Sequence, residues 1–94
     1  MKHSKIYSLY KELYYELYNA VPEINRAQCG SIIAQRLENQ TEETILKVIK
    51  LYFENETKDR IFHLPAILSA YSFNKYMPKI TQKLDPKIYT NGDQ

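Results

Sequence analysis

Apolar residues recur along the first twenty positions as two adjacent stripes. Ile6, Leu9, Leu13, Leu17 and Ala20 follow one another at spacings of 3, 4, 4 and 3, and Tyr7, Tyr10, Tyr14, Tyr18 and Val21 repeat the pattern one residue later. On a helix of 3.6 residues per turn these form neighbouring aliphatic and aromatic stripes. Lys5, Ser8, Lys11, Glu12, Glu16 and Asn19 fill the opposite arc. The spacing predicts a first helix over 4–21, with Ser4 as its N-cap and Pro22 as its stop. A helix with so broad an apolar face must be covered by the rest of a small domain or by a partner.

The same periodicity predicts the later elements. Asn25 offers a cap for a second helix over 26–38, with Cys29, Ile33 and Leu37 on its buried face beside Gly30 and Ala34. A helical glycine costs about 1 kcal/mol relative to alanine, so Gly30 implies a close packing contact. Thr41, followed by Glu42 and Glu43, starts a third helix that runs to about Asn55 and buries Ile45, Val48, Ile49, Tyr52 and Phe53. The polar stretch 54–60 reads as a loop. Pro65 suits the first turn of a short helix over 66–71. Phe73, Tyr76, Met77, Ile80 and Leu84 continue a helical stripe that Pro78 should break or kink. The expected fold is all-α, a compact bundle of four to five helices, with 1–90 as a single helical domain and 91–94 as a frayed tail. The second and third helices supply enough aliphatic surface to cover the leucine stripe of the first. The tyrosine stripe has no such evident cover.

Composition narrows the class. The chain is 44% hydrophobic and 26% charged, which suits a globular protein, and its two glycines leave few positions for tight hairpins. No apolar run approaches the ~18 residues that span a bilayer, and the N-terminal residues carry no secretory pattern, so no membrane partner is expected. One cysteine cannot make an internal disulfide, which fits a cytoplasmic setting. The net charge is only +2, yet its distribution is uneven: residues 1–56 hold seven Lys/Arg against eight Asp/Glu, and 57–94 hold six against three. The basic excess lies in the C-terminal part.

Few residues carry recognisable chemistry. His3, His63 and Cys29 are far apart and lack metal-ligand spacing, so no metal or other cofactor is expected. Cys29 sits on an apolar helix face, where a free thiol is usually inert. His63, between Phe62 and Leu64, suits a half-buried helix start better than acid–base work, and no glycine-rich phosphate loop exists. The pattern is therefore that of a non-enzyme, unless His63 converges with a carboxylate in a cleft. A helix-turn-helix over 34–49 fits poorly, because its second helix would bring Glu42 and Glu43 towards phosphates and its turn lacks a glycine.

Two surfaces emerge. Lys75, Lys79, Lys83 and Lys87 recur every four residues, Lys58 and Arg60 precede them, and Tyr71 and Tyr76 are interleaved. Lysines that neutralise phosphates beside tyrosines that stack on bases are the chemistry of single-strand binding. A solvated helix face has the same pattern. The other surface is Tyr7, Tyr14, Tyr15 and Tyr18 on the first helix, where Tyr15 falls in the polar arc. Tyrosines of this kind serve as interface anchors.

Residues 44–84 also resemble the helical C-terminal segments of some phage and plasmid replication proteins. The likeness is carried by Val48, Ile49 and Tyr52, then Ile67-Leu68-Ser69, then Phe73, Lys75, Tyr76 and Ile80. The resemblance implies a replication accessory that docks on DNA, a helicase or a primase, and it transfers no catalytic residue. The expectation is thus an accessory module of a mobile genetic element. Such a module would bind nucleic acid, single-stranded DNA in the first place, or a replication protein through its basic C-terminal third. The alternative is a protein-interaction module, such as an adaptor, an inhibitor or a homodimer, that uses the tyrosine-rich helix.

Overall fold

A computed structural model describes residues 3–57 and 62–84, with side chains to Ile80. These residues form five helices: α1 (Ser4–Tyr18), α2 (Arg26–Leu37), α3 (Glu42–Asn55), α4 (Leu64–Ile67) and α5 (Ala70–Leu84). The fold is all-α, as the periodicity predicts. The expected tail at 91–94 lies outside the described residues. Among the described residues, no helix is long and apolar enough to cross a membrane.

The caps of α2 and α3 follow from local sequence. Asn25 Oδ1 accepts from the Gln28 N–H at 3.1 Å, and Thr41 Oγ1 accepts from the Thr44 N–H at 3.1 Å. Each satisfies one of the orphan donors at a helix start. Both ends of α1 differ from expectation. Ser4 is already helical; the cap is His3, in the left-handed region with φ 61°, and its carbonyl accepts from the Tyr7 N–H. At the other end the chain leaves the helix at Asn19, also left-handed, whose N–H donates to the Tyr15 carbonyl at 2.7 Å. Asparagine tolerates this geometry, so α1 ends before Pro22 exerts any effect.

α3 is the spine, packed against α1, α4 and α5, and α2 packs on α4. The buried core takes Ile6, Tyr7 and Tyr10 from α1, Cys29 and Ile33 from α2, and Ile45, Val48, Ile49 and Tyr52 from α3. Phe62, Leu64, Ile67 and Leu68 then lead to Phe73, Tyr76 and Ile80 of α5. Phe62 is the aromatic hub. Its ring centroid lies 4.9 Å from Phe53, 5.1 Å from Tyr52 and 6.0 Å from Tyr18, and its carbonyl accepts a 2.8 Å hydrogen bond from the Tyr10 hydroxyl. Arg36 makes a second tie across the bundle. Its Nε donates to the Leu68 carbonyl at 2.7 Å while the guanidinium lies 5.4 Å from the Phe73 ring centroid.

The C-terminal half breaks elsewhere than expected. The short helix closes at Ile67 instead of running to residue 71, and the interruption falls at Leu68–Ser69. Ser72, fully buried, reaches back to the Ala66 carbonyl across this break at 3.4 Å. α5 then passes through Pro78 uninterrupted. A mid-helix proline costs on the order of 3 kcal/mol because it removes one N–H and crowds the preceding turn. Here Pro78 and Asn74 are both exposed, so water can take up the carbonyl that the proline leaves unbonded. The stripe Phe73, Tyr76 and Ile80 stays in register with the core on the opposite side. Burial of those three side chains, at roughly 1.5–3 kcal/mol each, outweighs the local penalty.

Burial divides both stripes of α1 along their length, with Ile6, Tyr7 and Tyr10 in the core and the later leucines and tyrosines partly buried. Tyr7 and Tyr10 are buried, and Tyr14 and Tyr18 are half-buried within the aromatic cluster, at 5.8 Å from Tyr10 and 4.6 Å from each other respectively. Leu9, Leu13 and Leu17 are likewise half-buried and pack against the core cluster. In α2, Ala34 is exposed instead of facing the core. A Cβ placed on Gly30 would meet nothing nearer than the Tyr7 hydroxyl at 3.9 Å, an ordinary van der Waals distance. No close approach requires that glycine. Gly30→Ala should therefore stabilise the fold by about 0.5–1 kcal/mol through helix propensity, raising the thermal midpoint by a few degrees. A lower midpoint by circular dichroism would show that the position does need glycine.

Candidate functional site

Three surfaces bring together residues with usable chemistry. The first is the outer face of α5, where Tyr71, Lys75 and Lys79 stand four residues apart and all three are exposed. Lys75 is already engaged. Its Nζ lies 2.8 Å from Glu56 Oε2 and donates to the Tyr71 hydroxyl at 3.1 Å. The Glu56 side chain is only 6% exposed, and it also accepts from the Tyr76 hydroxyl. A carboxylate this covered requires a cation and hydrogen-bond donors around it, and Lys75 and Tyr76 supply them. The hydrogen bond to Glu56 pushes the Lys75 ammonium above its usual range, and burial followed by the Glu56 hydrogen bond does the same for the Tyr76 hydroxyl.

This geometry corrects part of the expected nucleic-acid constellation. Tyr76 is fully buried, with its ring edge-on to Tyr52 at 6.4 Å between centroids, and presents no face to a base. Lys75 holds Glu56, so its charge is largely neutralised in place. Tyr71, 45% exposed, and Lys79, whose Nζ lies 5.6 Å from the Tyr76 ring centroid, are the expected residues that α5 does present to solvent. Lys58, Arg60 and Lys87, and the side chain of Lys83, lie outside the described residues. The polar pattern over 54–60 gives no sign of the role of Glu56; its partners are nineteen and twenty residues away, and no local signal marks it.

The second surface is a cleft of about 750 Å³ between the start of α2 and the start of α4, where Glu23, Asn25, Cys29 and His63 meet. His63 and a carboxylate thus do line one cavity. The thiol beside them is not activated, because Cys29 is 3% exposed and burial raises its pKa above the ordinary thiol value. A thiolate nucleophile needs the opposite shift. His63 is exposed and makes no capping hydrogen bond with its side chain. Among the described residues, no group of three His, Cys, Asp or Glu side chains is placed to hold a metal ion.

The third surface is the groove between α1 and α3. Leu9, Leu13 and Leu17 form its α1 wall, Leu46 and Phe53 its α3 wall, and Glu12, Glu16, Lys50 and Glu54 stand around them. All five apolar residues are partly buried against the core cluster without being covered. Of the tyrosines expected at an interface, Tyr7 is consumed in the core, with Arg26 stacked over its ring at 4.6 Å. Tyr14 and Tyr18 are mostly spent on the aromatic cluster. Tyr15, 53% exposed, lies on the far side of α1 from the leucines. Comparisons with family models, curated proteins and solved structures find no match for this chain.

The buried phenols give the fold a defined response to alkali. Tyr10 and Tyr76 are both raised above 10.0, chiefly by burial, and Lys75 above 10.5. In each case the folded chain holds a proton that the unfolded chain releases. The corresponding stability is complete below the unfolded values and is lost as pH rises beyond them. The denaturant midpoint should be level from about pH 7 to 9 and fall from about pH 10 upward, less steeply in Tyr76→Phe. An unchanged midpoint at about pH 11 would contradict this burial of the phenols.

Proposed function

We propose that this chain is a non-catalytic protein-interaction module whose docking surface is the groove between α1 and α3. The leucine stripe, partly buried and lining the groove, carries the reading. Three leucines in succession on one helix, continuous with Leu46 and Phe53 of the next, make a patch that internal packing leaves unfinished. Contiguous apolar surface rimmed by charge is the usual anatomy of a binding site for another protein. Glu12, Glu16, Lys50 and Glu54 form such a rim. Tyr7 and Tyr10 belong to the core, so this reading rests on the leucines that line the groove.

A photo-reactive amino acid at Leu13, introduced in cells, should yield discrete covalent protein adducts, because this position faces the centre of the groove. The same probe at Ala34, exposed on α2, serves as the control. Absence of adducts specific to the groove position would sink the reading.

The exposed stripe of Tyr71, Lys75 and Lys79 favours a second reading, the nucleic-acid or replication-protein contact of a mobile-element accessory that the resemblance over 44–84 implies. Fluorescence anisotropy with single-stranded DNA tests it. Binding at low salt should weaken as salt rises, and Lys79→Glu should reduce the salt slope by about 0.7 for each phosphate it no longer neutralises. Wild-type protein that binds neither DNA nor RNA at low salt would dismiss this reading. Lys75 is unsuited to the experiment, since its removal would strand Glu56.

A further inference from the structure

The α1–α3 groove has two unlike ends. Its two adjoining hollows, of about 530 and 420 Å³, share Leu9, Glu12 and Lys50 and so form one trough. Lys5 stands at one end, and Glu16 with Glu54 at the other. The same polarity runs along α1, whose first turn holds no acidic residue and whose last turn holds no basic one. A helix dipole favours the reverse arrangement, and α3 follows that rule with Glu42 and Glu43 in its first turn. Lys5 and Glu16 cannot neutralise one another within α1, because eleven residues of helix separate them by roughly 16 Å. α1 therefore presents an apolar stripe flanked by charges that suit neither its own dipole nor each other.

An antiparallel copy of α1 removes both mismatches. We propose, on the basis of the interaction-module reading, that the groove is covered by a second copy of this chain. The two α1 helices lie antiparallel about a twofold axis midway between Leu9 and Leu13. Leu9 of one copy then packs on Leu13 of the other, and the reciprocal contact follows from the symmetry. Lys5 of each copy comes to the Glu16 end of its neighbour, so each positive helix start receives a carboxylate and each negative helix end a cation. The pairing is self-complementary in charge at the two ends of the groove and in its leucine register. An unrelated partner would need to bring this same distribution with it.

Sedimentation equilibrium at roughly 50 mM salt should reveal a reversible dimer with a micromolar dissociation constant. Lys5→Glu and Glu16→Lys each turn two attractive contacts into repulsive ones and should raise that constant by roughly tenfold. Both positions are exposed, and both changes suit the helix dipole, so the monomer keeps its fold; circular dichroism verifies this. The double variant Lys5→Glu/Glu16→Lys should return the constant to within about threefold of wild type, since the two charges meet only between copies. A wild-type chain still monomeric at roughly 1 mM overturns the dimer, as does a double variant no tighter than the single ones. If the monomeric chain is nevertheless captured by another protein through the probe at Leu13, the docking groove stands and the self-pairing falls. If neither is seen, both fall.

Discussion

The hydrogen bond from the Tyr10 hydroxyl to the Phe62 carbonyl is the constraint on which the arrangement of the helices rests. It joins residues fifty-two positions apart inside the core. A buried carbonyl left without a donor costs about 1–3 kcal/mol, a large share of the 5–15 kcal/mol that holds a typical domain together. The ring of Phe62 adds edge-on and tilted contacts to Tyr18, Tyr52 and Phe53, so the chain entering α4 is locked simultaneously to α1 and α3. Once Tyr10 must reach Phe62, the rotation of α1 about its own axis is fixed. Ile6, Tyr7 and Tyr10 turn inward, and Leu9, Leu13 and Leu17 come to line the groove against α3. The α1–α3 groove lies beside the core that this bond helps to close.

A second node works by similar physics beside the first, at the C-terminal end of α3. Glu56 is carried into cover just past the helix end, where Lys75 and Tyr76 of α5 satisfy it. This explains why residues with the composition of a nucleic-acid site do structural work here. Lysine and tyrosine are the side chains that reach phosphates and bases, and also those that can compensate a covered carboxylate at the end of a long stem. Which role they take depends on whether an anion of the protein itself lies within reach. For Lys75 and Tyr76 one does; for Lys79 the neighbour is the ring of Tyr76.

What remains at the surface is therefore sorted by the core. The cleft that holds Cys29 and His63 gathers reactive residue types, but burial keeps the thiol protonated. The α1–α3 groove gathers ordinary residue types in an arrangement that internal packing does not complete.

Local sequence suffices for the all-α class and for the starts of α2 and α3. Asn25 and Thr41 act on backbone groups three residues away, and such local chemistry is legible in any chain. The 3.6-residue period also marked the apolar stripe of α5 and both stripes of α1. Tertiary structure decided the rest. Two stripes one residue apart differ by about 100° around a helix, and periodicity ranks neither above the other. Only the partner surfaces, Phe62 above all, set which members of each stripe enter the core. The passage of α5 through Pro78 and the break at Leu68–Ser69 have the same origin. Long-range burial of Phe73, Tyr76 and Ile80 outweighs a local penalty that the sequence displays in full. Glu56 was illegible for the same reason, because its partners come from another helix and nothing beside it in the chain announces them.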